Sequence, residues 1–177
     1  MPIIVSKFER YRLAIMKLLM PNIHITTFIS APAERIFDLS RSIDLHKKSM
    51  AHTGEQAVAG TTTGLIELND TVTWKAKHLM KMRILKVKVT AMQRPFSFTD
   101  EMVEGDFRSM KHEHHFKQIE NGTFLIDLFS FEMPYGTLGK VAGKIYLHRY
   151  LRNLLEQRNS IIKEYAESEK WKFMLNR

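Results

Sequence analysis

The sequence predicts an α+β domain: about six to seven antiparallel strands, two short helices after the first strand, and one long helix at the C-terminal end. Three observations carry this reading. Apolar and polar residues alternate clearly in Thr71 to Leu79 and in Leu85 to Val89, the period of a half-buried strand. Asn121-Gly122 separates two alternating stretches, 107–120 and 123–132, which marks a hairpin. From Leu138 to Tyr165 apolar residues recur at spacings of three and four, with arginines, lysines and glutamates between them. About thirty residues at ~1.5 Å each make a helix of roughly 45 Å, long enough to cross a whole sheet.

Taken in order, residues 1–19 place Ile4, Phe8, Tyr11, Ile15 and Leu18 on one face of a basic amphipathic helix, expected to lie outside the core. The self-sufficient domain begins at residue 20 and runs to about 170, leaving 171–177 as a basic tail. Asn22 to Ser30 is rich in β-branched residues and reads as the first strand. Pro32 and Glu34 then suit a helix start, since proline needs no N–H in the first turn and a carboxylate favours the positive helix end. Ile36, Phe37 and Leu39 face inward from it, and Ser40 to His52 holds a second short helix or loop. Strands are expected near 55–59, 71–79, 84–92 and 96–103, with Val72, Trp74, Ala76 and His78 turned inward and the intervening lysines outward. Pro134 and Gly136 end the sheet.

With 177 residues and 44% hydrophobic content, the chain has room for one domain with a sizeable core or a cavity. It contains no cysteine, which excludes disulfides, thiolate metal sites and a cysteine nucleophile, and an intracellular, cytoplasmic setting is the simplest expectation. No apolar run reaches membrane-span length. The net charge of +8 sits largely at the two ends, on Lys7, Arg10, Arg12 and Lys17 and on Lys170, Lys172 and Arg177. No basic stripe interleaved with aromatics appears, so nucleic acid is not an expected partner. Nor is there a nucleophile elbow, phosphate loop, HExxH helix or dinucleotide fingerprint.

The hairpin holds the one polar cluster with the character of a site. A type I′ turn at Asn121-Gly122 sets Glu120 opposite Thr123, which places Phe116 opposite Asp127, His114 opposite Phe129 and His112 opposite Phe131. Met110, His112, His114 and Phe116 then share the inner face with Thr123, Leu125, Asp127, Phe129 and Phe131. Lys111, Glu113, His115 and Lys117 face solvent. The outer face of the second strand carries Phe124, Ile126 and Leu128, an apolar patch for which residues 1–19, a second protomer or partial exposure would account.

The succession of elements resembles the helix-grip fold of the START-related superfamily, also called SRPBCC, in which hydrophobic-ligand proteins and polyketide cyclases are found. The local match is to its bacterial ligand-binding branch. It rests on Ile29-x-Ala31-Pro32-Ala33-Glu34-Arg35-Ile36-Phe37, on Thr73-Trp74-Lys75-Ala76-Lys77-His78, and on Pro95-x-x-Phe98-x-Asp100-Glu101. Gly105-x-Phe107 leading to His112-x-His114-x-Phe116, then Thr123, Asp127 and Pro134-x-Gly136, complete it over residues 20–167. Met110 stands where such sequences often carry tryptophan and Asp106 where they often carry proline; residues 1–19 have no counterpart. The resemblance implies a curved sheet wrapped around the long helix with a cavity between them, and it assigns no reaction.

His112, His114 and Asp127 admit four readings: imidazoles that satisfy a carboxylate and one another, a polar anchor for a ligand head group, a metal site, or an acid–base pair. The expectation carried forward is a binding site for a small hydrophobic or amphipathic ligand. It is lined by Trp74, Met110, His112, His114, Phe116, Asp127, Phe129 and Phe131, with no catalytic residue, metal or cofactor assigned. His78 and Asp100, at strand ends, are expected at the solvent rim. Two alternatives stand beside this: a cyclase- or hydrolase-type enzyme using a pocket histidine, and a membrane-surface or regulatory protein, related to cell division, acting through residues 1–19.

Overall fold

The computed structural model describes residues 22–133 and 141–175. Seven strands make one antiparallel sheet: β1 (Asn22–Ile29), β2 (Gln56–Gly60), β3 (Thr71–His78), β4 (Lys81–Gln93), β5 (Ser97–Glu104), β6 (Ser109–Ile119) and β7 (Gly122–Glu132). Their order is β1-β7-β6-β5-β4-β3-β2, so β1 crosses to pair with the last strand and all other neighbours follow in sequence. Register shifts between Ala57 and Ala59 and at two places in the β4–β5 ladder insert extra residues. Such bulges bend a strand, and here they curve the sheet.

Helices α1 (Ala33–Ser40) and α2 (Ile43–Ser49) occupy the β1-to-β2 crossover. Pro32 is the N-cap of α1, where a missing N–H costs nothing, and the Ala33 N–H donates to Gln118 Oε1 at 3.1 Å. Ser42 caps α2 by accepting from the Leu45 N–H at 3.2 Å. Helix α3 (Val141–Ala166) lies in the grip of the sheet, and α4 (Lys170–Leu175) follows it. Where the sequence reads as a basic tail from 171, α4 carries Met174 into the core, and the Arg35 guanidinium lies over the Trp171 ring at 4.4 Å. Residues 1–19, and Pro134 and Gly136, lie outside the described residues. No described helix is long and apolar enough to cross a membrane.

The hairpin register differs from the expected one. Ile119 faces Gly122, so Phe116 pairs with Leu125, His114 with Asp127, His112 with Phe129 and Met110 with Phe131. The loop is Glu120-Asn121, neither of which takes a positive φ, so the turn is not type I′. Gly122 begins β7 at φ +154°, and a Cβ there would stand 2.4 Å from the Ile29 carbonyl oxygen. Glycine is needed for that close approach of β1 rather than for the turn. The slip is an even number of residues and therefore preserves every face: Met110, His112, His114, Phe116, Thr123, Leu125, Asp127, Phe129 and Phe131 are all buried.

Two apolar clusters result. One is solid core, built around Phe37, which meets Phe98 edge-on at 5.6 Å and Phe116 at 5.3 Å, with Leu125 and Ile162 beside them. The other, around Trp74, Val87, Val89, Met110, Phe129 and Leu155, faces a cavity. On the outer face Phe124 and Ile126 are half-buried, with Phe28 of β1 against Phe124 at 5.5 Å.

Candidate functional site

The cavity measures about 820 Å³, within the range that holds a small organic ligand. Its walls come from β3, β4 and β6, from α2, and from one face of α3. Trp74, Met110, His112, His114 and Phe129 line it, as the alternation of their strands directs. Phe116 and Phe131 do not: Phe116 belongs to the solid core and Phe131 packs on Phe107 at 5.1 Å. Asp127 sits one layer behind the wall, bonded to residues that reach it.

That layer is the inner polar end. His112 Nε2 donates to Asp127 Oδ1 at 2.9 Å. His114 Nδ1 lies 2.8 Å from the same oxygen but off the hydrogen-bonding direction, so that contact is electrostatic. Its Nε2 reaches Asp100 Oδ1 at 3.2 Å, which brings Asp100 into the cluster instead of leaving it at the rim. From α3, Asn159 Nδ2 donates to Asp127 Oδ2 at 2.6 Å, and Arg158 Nη1 stands 3.7 Å from Oδ1. The imidazole of His114 is stacked on Phe98 at 4.2 Å and packed on His112 at 3.8 Å.

Burial alone would protonate Asp127, but the hydrogen bond from His112 and the close contact with His114 outweigh it and hold the carboxyl well below its ordinary range. Asp100 is lowered the same way, burial being overcome chiefly by His114. Burial and then the charge of His114 push His112 down, toward the neutral form. Burial opposes protonation of His114 too, but its contacts with Asp100 and Asp127 prevail and raise it. Two carboxylates thus balance His114 and Arg158, the balance that buried charge requires.

His114 Nδ1, Asn159 Oδ1 and Arg158 Nη1 are the buried polar atoms of this group without a hydrogen-bond partner, and of the three residues Arg158 brings a charged donor to the cavity. Its Nη2 donates to the Ser40 carbonyl at 2.8 Å, tying α3 to α1, while the buried Nη1 has no hydrogen-bond partner and the residue lines the cavity. A guanidinium N–H left free in an apolar pocket awaits an acceptor oxygen.

A second polar group stands at the other end of the cavity wall. Glu55 Oε1 accepts from His46 Nε2 at 2.5 Å, and its Oε2 lies 3.6 Å from His78 Nε2. His78 Nδ1 bonds the Tyr150 hydroxyl at 2.8 Å, and the His46 ring stacks on Trp74 at 4.2 Å. Burial pushes the Glu55 carboxyl up, yet the two imidazoles bring it down to about 2. Burial, with Tyr146 and Glu55 nearby, raises the Tyr150 hydroxyl, which keeps its proton. His78 is therefore a half-buried wall residue and not a solvent-edge histidine. The exposed lining residues Leu79, Ile84 and Tyr146 mark the mouth beside this group.

Asp100, His112 and His114 each place a ligand atom within 4.8 Å of the others, a spacing that suits a metal ion. His112 and His114 already bond Asp127 and Asp100 through Nε2, and Arg158 brings a positive charge against them, which opposes a cation there. Sequence reasoning on the strands finds His112, His114 and Asp127 by parity. Arg158 and Asn159 carry a signal of their own: both interrupt the apolar stripe of α3, between Leu154 and Leu155 and Ile161 and Ile162.

No protein-family model matches the sequence, and no curated protein matches it. Solved structures do match in shape. A protein of Thermus thermophilus superposes with a TM-score of 0.64 at 17% identity, over 82% of this chain and 97% of that one. A START superfamily protein from Mycobacterium smegmatis gives 0.63 at 12% identity, over 82% and 97%. The di-domain ARO/CYC StfQ from the steffimycin biosynthetic pathway gives 0.70 at 10% identity, over 90% of this chain and 54% of that one. These likenesses show the fold.

Proposed function

We propose that this helix-grip chain binds a small hydrophobic or amphipathic molecule between sheet and α3, with an acceptor oxygen of the ligand, a carbonyl or carboxylate, on Arg158. Arg158 Nη1, without a hydrogen-bond partner on a mostly apolar cavity, is the observation that carries the reading. Trp74, Met110 and Phe129 supply the apolar contact, and His112 and His114, fixed by Asp127, form the polar floor beside Arg158. The volume sets the size class: about 820 Å³ suits a lipid-like chain or a few fused rings.

A second reading, acid–base catalysis on the bound molecule, is favoured by one feature. His112 lines the cavity, and its lowered pKa leaves a neutral imidazole oriented by a carboxylate, the state of a general base. Native mass spectrometry of the chain purified from its source tests the binding reading. A retained apolar molecule bearing a carbonyl or carboxyl group is expected; a retained molecule without an acceptor oxygen contradicts the role of Arg158.

A further inference from the structure

Between Asp70 and Asp100 the sequence contains no acidic residue, while Lys75, Lys77, Lys81, Arg83, Lys86, Lys88 and Arg94 all fall there. The body of the chain has little net charge, but what it has is concentrated on the β3–β4 hairpin. Arg83 pairs with Asp106, Arg94 pairs with Glu67, and Lys86 and Lys88 stand opposite Glu104 and Glu101. Among the described residues Lys75, Lys77 and Lys81 have no ion-pair or hydrogen-bond partner. They surround exposed aliphatic side chains. Leu79 is 38% exposed, Met80 91%, Met82 59% and Ile84 53%, and on the outer face Met82 lies opposite Lys77 and Ile84 opposite Lys75.

The tip of this hairpin is also strained. His78 pairs with Lys81, leaving a two-residue loop in which Leu79 takes φ +51° and Met80 φ +66°. Positive φ at both positions is the type I′ geometry, which Asn-Gly adopts readily and side chains like these resist. Stability thus accounts neither for the residue types here nor for their exposure. The tip adjoins the cavity mouth: Leu79 and Ile84 line it, and so does Tyr146, one helical turn from the Tyr150 that bonds His78.

We propose that the β3–β4 hairpin docks the protein on an anionic membrane surface, with Leu79, Met80, Met82 and Ile84 entering the interfacial zone and Lys75, Lys77 and Lys81 meeting the acidic headgroups. Charge complementarity identifies the occupant. Unpartnered lysines around aliphatic side chains match a surface that is apolar within and negative outside. A protruding tip whose foremost residue is almost wholly exposed also suits a bilayer, which receives apolar groups anywhere on its plane, while lysine stems extend along the apolar surface to the headgroups. Docked this way, the cavity mouth faces the membrane. The proposal goes beyond ligand binding and does not depend on which molecule the cavity takes.

Co-sedimentation of the full chain with phosphatidylcholine vesicles, with and without phosphatidylglycerol, tests it. Binding is expected to the anionic vesicles alone and to weaken with salt. Lys75→Gln/Lys77→Gln/Lys81→Gln is expected to lower vesicle affinity by about a hundredfold, since each such lysine is worth roughly fivefold near an acidic surface. Leu79→Asn/Met80→Gly supplies the residues that the turn prefers, so its thermal midpoint should equal or exceed wild type while vesicle binding falls by about tenfold or more. The proposal is overturned if wild type ignores anionic vesicles, or if both variants bind them like wild type, which would place the contact elsewhere, residues 1–19 included. It is equally overturned if the variants change only self-association, which would make the tip a contact between copies of the chain.

Discussion

His114 and Asp127 stand directly opposite each other on β6 and β7, with Nδ1 2.8 Å from Oδ1 and both side chains buried. Asp127 is the anion on which His112, His114, Asn159 and Arg158 converge. Asp127→Asn leaves His114 and Arg158 with only Asp100 for balance. The expected cost is about 3–5 kcal/mol, as for other buried pairs that lose one partner, read as a lower urea midpoint. The raised pKa of His114 should fall at the same time, with Asp100 alone left to hold it up. In the wild type that raised value makes its contribution complete below the ordinary 6.5 and fading as pH climbs through the folded value, so the variant's stability should vary less across that range.

Glu55 predicts the acid limb. Its carboxyl is lowered from an ordinary 4.5 to about 2, so the stability it contributes is present above pH 4.5 and lost as pH falls toward 2. The shift corresponds to about 3 kcal/mol. Glu55→Gln should flatten the dependence of unfolding free energy on pH between those values, measured by urea denaturation at a series of acidic pH.

Phe37 joins α1 to the sheet through Phe98 and Phe116, away from the cavity. Phe37→Ala should cost about 3–5 kcal/mol, the range for removing a fully buried ring from a packed core. Truncations along the cavity wall should cost less per atom removed, because those side chains already border open space. A Met110→Ala variant compared with Phe37→Ala by thermal denaturation checks the contrast.

The chain has two tryptophans, Trp74 in the cavity wall and Trp171 in α4. In a Trp171→Phe background, emission should come from Trp74 alone, and an apolar molecule entering the cavity should quench or shift it. An unchanged spectrum on addition of a probe that demonstrably binds would place that probe elsewhere.

The fold was legible because its signals are local: a period of two in Thr71 to His78 and a stripe at three and four along α3 survive without knowledge of neighbours. His112, His114 and Asp127 were legible because a slip of two residues leaves faces unchanged. The register itself was not, since Gly122 answers to the approach of β1 and not to the turn that Asn-Gly usually signals. Arg158 reads as one more charged helix residue until its place on the apolar stripe is counted. His46, Glu55, His78 and Tyr150 come from four separate segments, and no spacing in the chain announces their meeting. Leu79-Met80 lacks turn chemistry, so the tip at the mouth is visible only from the backbone.

A titration with a dansyl-labelled fatty acid and the matching alcohol tests the binding account most directly, using wild type and Arg158→Gln side by side with thermal denaturation to confirm that both are folded. The account predicts that wild type takes up both, that the acid binds more tightly, and that Arg158→Gln weakens the acid by about tenfold to a hundredfold, as expected for loss of a charged hydrogen bond, with a smaller effect on the alcohol. A folded wild type that takes up neither molecule, or an Arg158→Gln variant that binds the acid as tightly as wild type does, would contradict it.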